Sequence, residues 1–162
     1  MGSKKEFVEW IKQHEGIIYK ITRVYGKSKE DREDLYQEVV YQLWKSIDSY
    51  QKKSKDTTWL YRVALNTALN FSKNSKKRPI SNESEASINL LKYESFDPVL
   101  EERVQLLYTH IERLNLIEKG IILLYLEGKS HLEISQVTGF SKSNIGTRIA
   151  RIKQKLSKQL KS

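Results

Sequence analysis

Residues 130–160 read SHLEISQVTGFSKSNIGTRIARIKQKLSKQL, and this stretch carries the clearest structural signal in the chain. Ser130 and Glu133 have the spacing of a capping box, which predicts the start of a short helix. Gly139 can adopt the left-handed conformation that ends such a helix, and Ser141 can cap a second helix. The stretch therefore predicts a helix-turn-helix.

The second helix of this motif has one apolar stripe and one polar face. Ile145, Ile149, Ile152 and Leu156 recur at helical spacing and are predicted to face inward. The opposite face offers positive charges and hydrogen-bond donors that suit phosphates and base edges in a major groove. The residues predicted to bind duplex DNA are Lys142, Ser143, Asn144, Thr147, Arg148, Arg151 and Lys155.

The positive charge of the 162-residue chain is concentrated in two segments. Residues 49–80 hold eight lysines or arginines against one aspartate, and residues 128–162 hold eight against one glutamate. The formal net charge is +9, so the remainder of the chain is net negative. Two separated basic segments indicate a shared polyanionic partner. The alternative is that lysine-rich faces only keep a helical protein in solution.

Several classes of protein are disfavoured by composition. The absence of cysteine excludes disulfides and thiolate metal sites. No apolar run approaches the roughly 20 residues that span a bilayer, and the first residues lack a signal-peptide core, so we expect a cytoplasmic protein without membrane insertion. His14, His110 and His131 lack metal-ligand spacing, and no glycine-rich phosphate loop is present. We expect no catalytic residue, no metal and no cofactor.

The remainder of the chain shows helical periodicity and no strand-like alternation. A first helix is predicted over residues 7–25, and a second begins near Asp31 with acidic residues in its first turn. Residues 50–58, YQKKSKDTT, show neither helical nor strand periodicity and predict an exposed, mobile loop. A third helix follows from Trp59.

The second half begins with a proline-bounded polar segment. Residues 79–98 hold the only two prolines, one at each end, and indicate a flexible linker. A fourth helix follows, and Asn115 and Glu118 form a second capping-box pair that opens a fifth helix. The predicted fold is therefore all-α, with small helical domains at 1–78 and 99–162 joined by this linker.

The predicted second helix places hydrogen-bond acceptors beside an apolar patch, which suits a basic partner helix. The alternative is that its apolar residues belong to the core and its acids only favour the helix dipole. The residues predicted to bind a partner protein are Asp34, Leu35, Gln37, Glu38, Leu43 and Trp44.

The basic segment around the predicted loop interleaves lysines with aromatic residues, as single-stranded DNA requires. Lysines can follow phosphates, and rings stack on exposed bases with about 1–3 kcal/mol per base. A base taken out of the duplex also needs a pocket in which a polar group reads its edge. The residues predicted to bind melted DNA are Tyr50, Lys52, Lys53, Lys55, Trp59, Arg62 and Asn66. For Trp59, a place in the core is the alternative.

Three motifs in a fixed order resemble one family of proteins. They are DREDLYQEVVYQLW at 31–44, WLYRVALN at 59–66, and LEGKSHLEISQVTGFSKSNIGTRIARIKQKL at 126–156. In this order they resemble a bacterial RNA polymerase sigma factor of the extracytoplasmic-function type, within the sigma-70 family. The resemblance implies two helical domains, called regions two and four, and no further domain.

The resemblance also implies partners and roles. Core RNA polymerase would bind through its beta-prime clamp helices, against residues 31–44, and through its beta flap. Promoter DNA would be melted around Asn66, which matches the family's base-reading asparagine, and the helix-turn-helix would read the upstream element. Members of the family often have an anti-sigma factor, which is a candidate third partner.

The chain departs from the family pattern at four places. Gly146 stands where many relatives place Lys or Arg, Ala150 replaces a larger residue, and Asn70 stands where an acid is usual. The proline often found just after Leu114 is absent.

The main rival function is a stand-alone helix-turn-helix regulator, which leaves the acidic helix and the first basic segment unexplained. A nucleic-acid enzyme or RNA-binding protein is a more distant rival.

Overall fold

A computed structural model describes residues 4–50, 56–75 and 98–161 of the chain. Within these ranges the regular structure is entirely helical, as the sequence predicts. The helices are α1 (Lys4–Tyr25), α2 (Lys29–Ser46), a short 3-10 turn (Ile47–Ser49), α3 (Asp56–Ser75), α4 (Pro98–Glu112), α5 (Leu116–Leu126), α6 (His131–Thr138) and α7 (Lys142–Lys161). The chain forms two compact units, Met1–Ser87 and Ile88–Ser162, which are described separately.

The N-terminal unit is built around α2, which packs against both α1 and α3. Leu35, Val39 and Leu43 lie four residues apart on one face of α2 and are completely buried. Burial of each leucine contributes roughly 1.5–3 kcal/mol. Because this stripe faces the core, the other faces of α2 are left for solvent or for a partner.

A close contact holds the turn between α1 and α2. The Gly26 amide donates to the Thr22 carbonyl at 2.8 Å. Arg32 donates from Nε to the Gly26 carbonyl at 3.0 Å and from Nη2 to the Arg23 carbonyl at 3.2 Å. An ideal Cβ at Gly26 would lie 2.4 Å from Cγ of Arg32 and 2.9 Å from the Thr22 oxygen. Arg32 can therefore cap the end of α1 only because residue 26 has no side chain.

The C-terminal unit confirms the local signals of the sequence. Both capping boxes form, with reciprocal bonds between Asn115 and Glu118 and between Ser130 and Glu133. Gly139 ends α6 with a φ of 86°, in the left-handed region that favours glycine.

The packing of α7 also follows the sequence prediction. Ser141 accepts a hydrogen bond from the Asn144 amide at 3.1 Å, so it caps the start of the helix. The predicted apolar stripe of α7 is buried along its whole length: Ile145, Ile149, Ile152 and Leu156. Helices α6 and α7 thus form the predicted helix-turn-helix, packed on α5.

Two predicted boundaries differ from the structure. The loop predicted over 50–58 is too long, because Asp56 already begins α3 and Thr58 is buried. The aspartate suits the positive end of a helix, which outweighs the lack of apolar periodicity there. Pro98, predicted as the last linker residue, is the first residue of α4, where its missing N–H costs nothing. The rest of the predicted linker lies outside the described residues.

Gly26→Ala should destabilise the N-terminal unit by about 1–3 kcal/mol, because the new methyl group must displace Arg32 or the Thr22 carbonyl. All three tryptophans of the chain lie in Met1–Ser87, so urea unfolding followed by tryptophan fluorescence isolates this unit.

Gly146→Ala is the matched control for that substitution. A Cβ at Gly146 would lie 3.5 Å from its nearest neighbour, which is ordinary contact. Alanine also favours a helix by up to about 1 kcal/mol over glycine, so circular dichroism should show no loss of stability. An unchanged urea midpoint for Gly26→Ala would contradict the close-contact explanation.

Candidate nucleic-acid and protein interfaces

The outward faces of α2 carry most of the residues that the sequence predicts to bind a partner protein. Asp34, Gln37, Glu38 and Trp44 are exposed, the Trp44 ring at 43%. Trp44 rests on α1 through Phe7, with ring centroids 5.0 Å apart. The structure therefore presents a row of acceptors with an aromatic ring further along the helix.

Two members of that predicted set do not reach the surface. Leu35 and Leu43 have no exposed area, because they belong to the stripe that packs α2 on α1 and α3. The prediction that they contact a partner is wrong. By packing α2 against α1 and α3, these two leucines keep the acidic residues of α2 on its exposed faces.

A groove of about 830 Å³ runs between α2 and α3. Its α2 wall includes Asp34, Gln37 and Glu38, and its α3 wall includes Asn66. The sequence assigned these residues to separate sites, whereas packing of α2 on α3 places them on opposite sides of one groove. The groove residues that the sequence analysis missed are Tyr41, Gln42, Ser46, Val63, Thr67, Asn70, Phe71 and Asn74. The spacing of Asn66, Asn70 and Asn74 was the available signal.

An aromatic stack joins the two ends of the segment 51–55. The Tyr50 ring lies on Trp59 with centroids 4.7 Å apart and planes at 24°. The Trp10 ring also lies against Trp59, with ring centroids 5.5 Å apart. The Tyr50 hydroxyl donates to Oδ1 of Asp56 at 2.9 Å, so residues on both sides of the segment are held together.

This stack corrects one prediction for melted DNA. Trp59 is only 6% exposed, because rings from α1 and from Tyr50 cover it. The alternative role, as a core residue that supports Tyr50, is the one that its burial favours. Burial and the hydrogen bond to Asp56 raise the pKa of Tyr50.

The remaining residues predicted for melted DNA divide into two groups. Arg62 is half-buried on α3, and Asn66 is exposed one helical turn later. Lys52, Lys53 and Lys55 lie outside the described residues. Asn66 thus presents its amide to the groove between α2 and α3.

The outward face of α7 carries the residues predicted to bind duplex DNA. Lys142, Ser143, Asn144, Thr147, Arg151 and Lys155 are exposed, and Arg148 is half-buried.

Arg148 is more constrained than the sequence suggested. Its Nε donates to Oδ1 of Asn144 at 2.7 Å, and its guanidinium carbon lies 4.2 Å from the ring centroid of Phe140. These contacts direct the guanidinium toward the start of α7, the part of a recognition helix that usually meets DNA. Phe140 was missed; an aromatic residue directly after the glycine of the turn was the signal.

His131 is the nearest neighbour of the flank of α7 at Gly146. Atoms Nδ1 and Cε1 of His131 lie 3.5 and 3.6 Å from the position that a Cβ of Gly146 would take. The exposed imidazole at the start of α6 therefore covers the flank of α7 where a longer side chain would project. A methyl group fits there, but a Lys or Arg would have to share this space with His131.

Lys155 has a structural contact that no sequence motif revealed. Its Nζ lies 2.6 Å from Oε2 of Glu118. Oε1 of Glu118 accepts a hydrogen bond from the backbone N–H of Asn115 at 3.1 Å. The carboxylate is nearly buried and the lysine side chain is half exposed. One glutamate thus caps α5 and ties it to α7.

The other histidines take part in local structure. Nδ1 of His14 lies 2.9 Å from the Trp10 carbonyl, and Nδ1 of the buried His110 lies 3.2 Å from Oε1 of Gln159. Across the described ranges there is no group of three His, Asp or Glu residues that could hold a metal ion. None of the described helices is long and apolar enough to cross a membrane.

Comparisons with known proteins match both units. The family profile for Sigma-70 region 2 matches residues 10–78, and the profile for Sigma-70, region 4 matches residues 105–156. The chain is 28% identical to the ECF RNA polymerase sigma factor SigW of Bacillus subtilis, covering 99% of this chain and 91% of that protein. It is 26% identical to the ECF RNA polymerase sigma-E factor of Haemophilus influenzae, covering 98% and 89%.

Two solved structures share the fold. CnrH, in complex with the cytosolic domain of CnrY, has a TM-score of 0.71 and 20% identity and covers 99% of this chain and 90% of its own. The sigma factor RpoE of Bartonella quintana, in complex with the anti-sigma factor NepR, has a TM-score of 0.73 and 18% identity, with coverage of 97% and 98%.

Lys155→Ala should lower the stability of the C-terminal unit by about 1 kcal/mol, because the nearly buried Glu118 carboxylate loses its cation while solvent screens part of the effect. Hydrogen exchange of the α5 and α7 amides measures this loss. Lys158→Ala, at an exposed site on α7, is the control. Equal protection in the two variants would mean that the ion pair adds nothing.

Proposed function

The chain belongs to the sigma-70 family as a sigma factor of the extracytoplasmic-function type, and we propose that its two units bind core polymerase and promoter DNA through the surfaces described above. It is a transcription initiation factor that directs core RNA polymerase to specific promoters. The observation that carries this conclusion is the match of region 2 and region 4 profiles, in family order, to two helical units.

The exposed acceptors of α2 are proposed to meet the beta-prime clamp helices of the polymerase. Asp34, Gln37 and Glu38 offer carboxylate and amide oxygens on one helical face, and Trp44 adds an exposed ring. Such a face suits a helix that carries basic residues. The C-terminal unit is proposed to contact the beta flap, as the family resemblance implies.

The exposed face of α3 and the lysine-rich segment before it are proposed to hold the melted non-template strand. Asn66 is exposed and has an amide that can read a base edge. Lys52, Lys53 and Lys55 would follow the phosphates, and the Tyr50 contact with Asp56 holds the chain on both sides of these lysines. Binding energy gained only from unpaired bases shifts the promoter toward its melted state.

Upstream duplex DNA is proposed to bind the exposed face of α7. Arg148, already oriented by Asn144 and Phe140, loses less side-chain freedom on binding than a free arginine. Arg151 is exposed one turn further along the helix. A helix-turn-helix reads DNA with such residues near the start of its second helix.

The comparisons do not favour a stand-alone regulator, because the relatives resemble this chain along nearly its entire length. We further propose that the protein contributes no chemistry and that polymerisation belongs to the partner enzyme. Its place of action would be the cytoplasm. RpoE was captured with the anti-sigma factor NepR, and CnrH with the cytosolic domain of CnrY. We propose an anti-sigma factor as a candidate regulator here.

Run-off transcription with bacterial core polymerase tests the function directly. Addition of this protein should yield transcripts from a subset of candidate promoters, and core alone should yield none. Co-elution of the protein with core polymerase is the accompanying binding measurement. Absence of both transcripts and co-elution would refute the assignment.

Substitutions on the two walls of the α2–α3 groove should separate the proposed roles. Asp34→Ala combined with Glu38→Ala should weaken core binding about tenfold, because acceptors for basic partner residues are lost. Asn66→Ala should leave core binding unchanged and reduce promoter opening about tenfold, because the base-reading amide is lost. Fluorescence anisotropy with labelled core and permanganate footprinting measure the two effects.

Each of these variants serves as the control for the other. Equal loss of core binding and opening in Asn66→Ala would mean that Asn66 is a structural residue. Unchanged core affinity after replacement of Asp34 and Glu38 would place the polymerase contact elsewhere.

A further inference from the structure

The face of α7 opposite its buried stripe carries mostly short side chains. Successive residues of an α-helix lie about 100° apart around its axis, so a residue two positions from a stripe residue such as Ile145 or Ile152 points away from the core. The exposed residues of this outer face, over the first four turns of α7, are Ser143, Thr147, Ala150, Arg151 and Gln154. When the helix lies in a major groove, this face meets the base edges on the groove floor.

The cationic side chains of the same turns lie mainly on the flanks of α7. Arg148 and Lys155 each follow a stripe residue by three positions, which places them about 60° from the buried direction. Both also have contacts within the protein, Arg148 with Asn144 and Lys155 with Glu118. Flanking cations suit the phosphates along the groove walls. Within these turns of α7, Arg151 is then the one cation on the outer face.

The centre of the outer face offers methyl groups rather than hydrogen-bond donors. Oγ1 of Thr147 donates to the Ser143 carbonyl at 3.2 Å, so its hydroxyl proton is used within the helix. The group that Thr147 offers to a ligand is therefore its γ-methyl. Ala150, three residues later on the same face, is exposed and has only its β-methyl. These two positions are about 4.5 Å apart along the helix axis.

One base matches a methyl group in the major groove. Thymine alone carries a methyl group there, at C5, and the methyl groups of alanine and threonine pack on it. A guanine or cytosine edge covered by a methyl group would lose its water without gaining a hydrogen bond. Neighbouring bases of a strand are about 3.4 Å apart, which is close to the spacing of the two methyl positions.

We infer that α7 selects an upstream element in which two neighbouring thymines pack on Thr147 and Ala150. Arg151 confines any directly read guanine to the adjoining position, and Gln154, further along, suits adenine. This inference rests on the proposed binding of upstream duplex DNA by α7 and names the bases that this surface prefers.

The test starts from a promoter that the complete protein and core polymerase transcribe in the run-off assay. The upstream segment of this promoter is randomised, and duplexes retained by the holoenzyme are sequenced. Thymine should be enriched at two neighbouring positions. Replacing each of these thymines by uracil, which lacks only the methyl group, should weaken holoenzyme binding about fourfold. Enrichment of guanine or cytosine instead, or equal binding of thymine and uracil, would overturn the inference.

Two substitutions of Thr147 separate its methyl group from its hydroxyl. Thr147→Ser keeps only the hydroxyl and should lose the discrimination between thymine and uracil at one position. Thr147→Val keeps a methyl group and should retain it. This non-additivity of the base and side-chain changes is expected only if the two methyl groups touch. Loss of discrimination in Thr147→Val alone would overturn the inference, because the hydroxyl would then be the contact.

Thr109→Ser is the matched control on α4. Thr109 is also exposed, and its Oγ1 donates to the Gln105 carbonyl at 2.9 Å, so the same methyl group is removed from the same local geometry. The thymine-to-uracil ratio should not change in this variant. An equal loss in Thr109→Ser and Thr147→Ser would mean that the effect does not come from DNA contact, which also overturns the inference.

Ala150→Arg tests the second position by a change of preference. An arginine facing the bases can bind guanine through O6 and N7, so the preferred base at this position should change from thymine to guanine. An unchanged preference would mean that residue 150 does not face the groove floor, contrary to the inference.

Failure of the proposed function has a different signature. Arg148→Ala combined with Arg151→Ala should weaken binding to upstream duplex DNA whatever its sequence, because phosphate contacts are lost. If this variant weakens binding while thymine and uracil elements bind equally, only the inference fails. If neither this variant nor the Thr147 and Ala150 variants change promoter binding, α7 does not contact the upstream duplex, and the proposed function of α7 fails together with the inference.

Discussion

The buried stripe of α2 is the contact on which the N-terminal unit depends. Leu35, Val39 and Leu43 pack between α1 and α3, and this packing fixes the rotation of α2 about its own axis. The acidic residues next to the stripe must then face outward or toward α3. A single apolar constraint therefore places Asp34 and Glu38 opposite the asparagines of α3, and the groove between them is its direct result.

The C-terminal unit is held by a different kind of contact. Glu118 caps α5 with one carboxylate oxygen and binds Lys155 of α7 with the other, so capping and helix docking share one side chain. The buried apolar stripe docks α7 on the rest of the unit, and the short charge-assisted bond at Lys155 adds a contact at one fixed residue.

Much of the fold could be predicted because its signals are local. Capping boxes depend on residues three positions apart, as at Ser130 and Glu133, and helical stripes depend on residues three or four apart. Prediction failed where distant residues decided the outcome. The lysines and aromatic residues around Trp59 predicted a surface on which bases stack. The rings of Trp10 and Tyr50 cover Trp59 instead, and both of these residues lie outside the helix that contains Trp59.

The helices, their caps, the helix-turn-helix and the family could be recognised from the residues alone, because each depends on short-range spacing or on motifs in a fixed order. Which residues share a surface depends on the packed structure. It brought Asp34 and Asn66 to one groove, removed Leu35 from the candidate interface, and placed His131 over Gly146. These outcomes depend on how helices rotate and pack against each other, and that packing is set by the burial of apolar stripes across the whole unit.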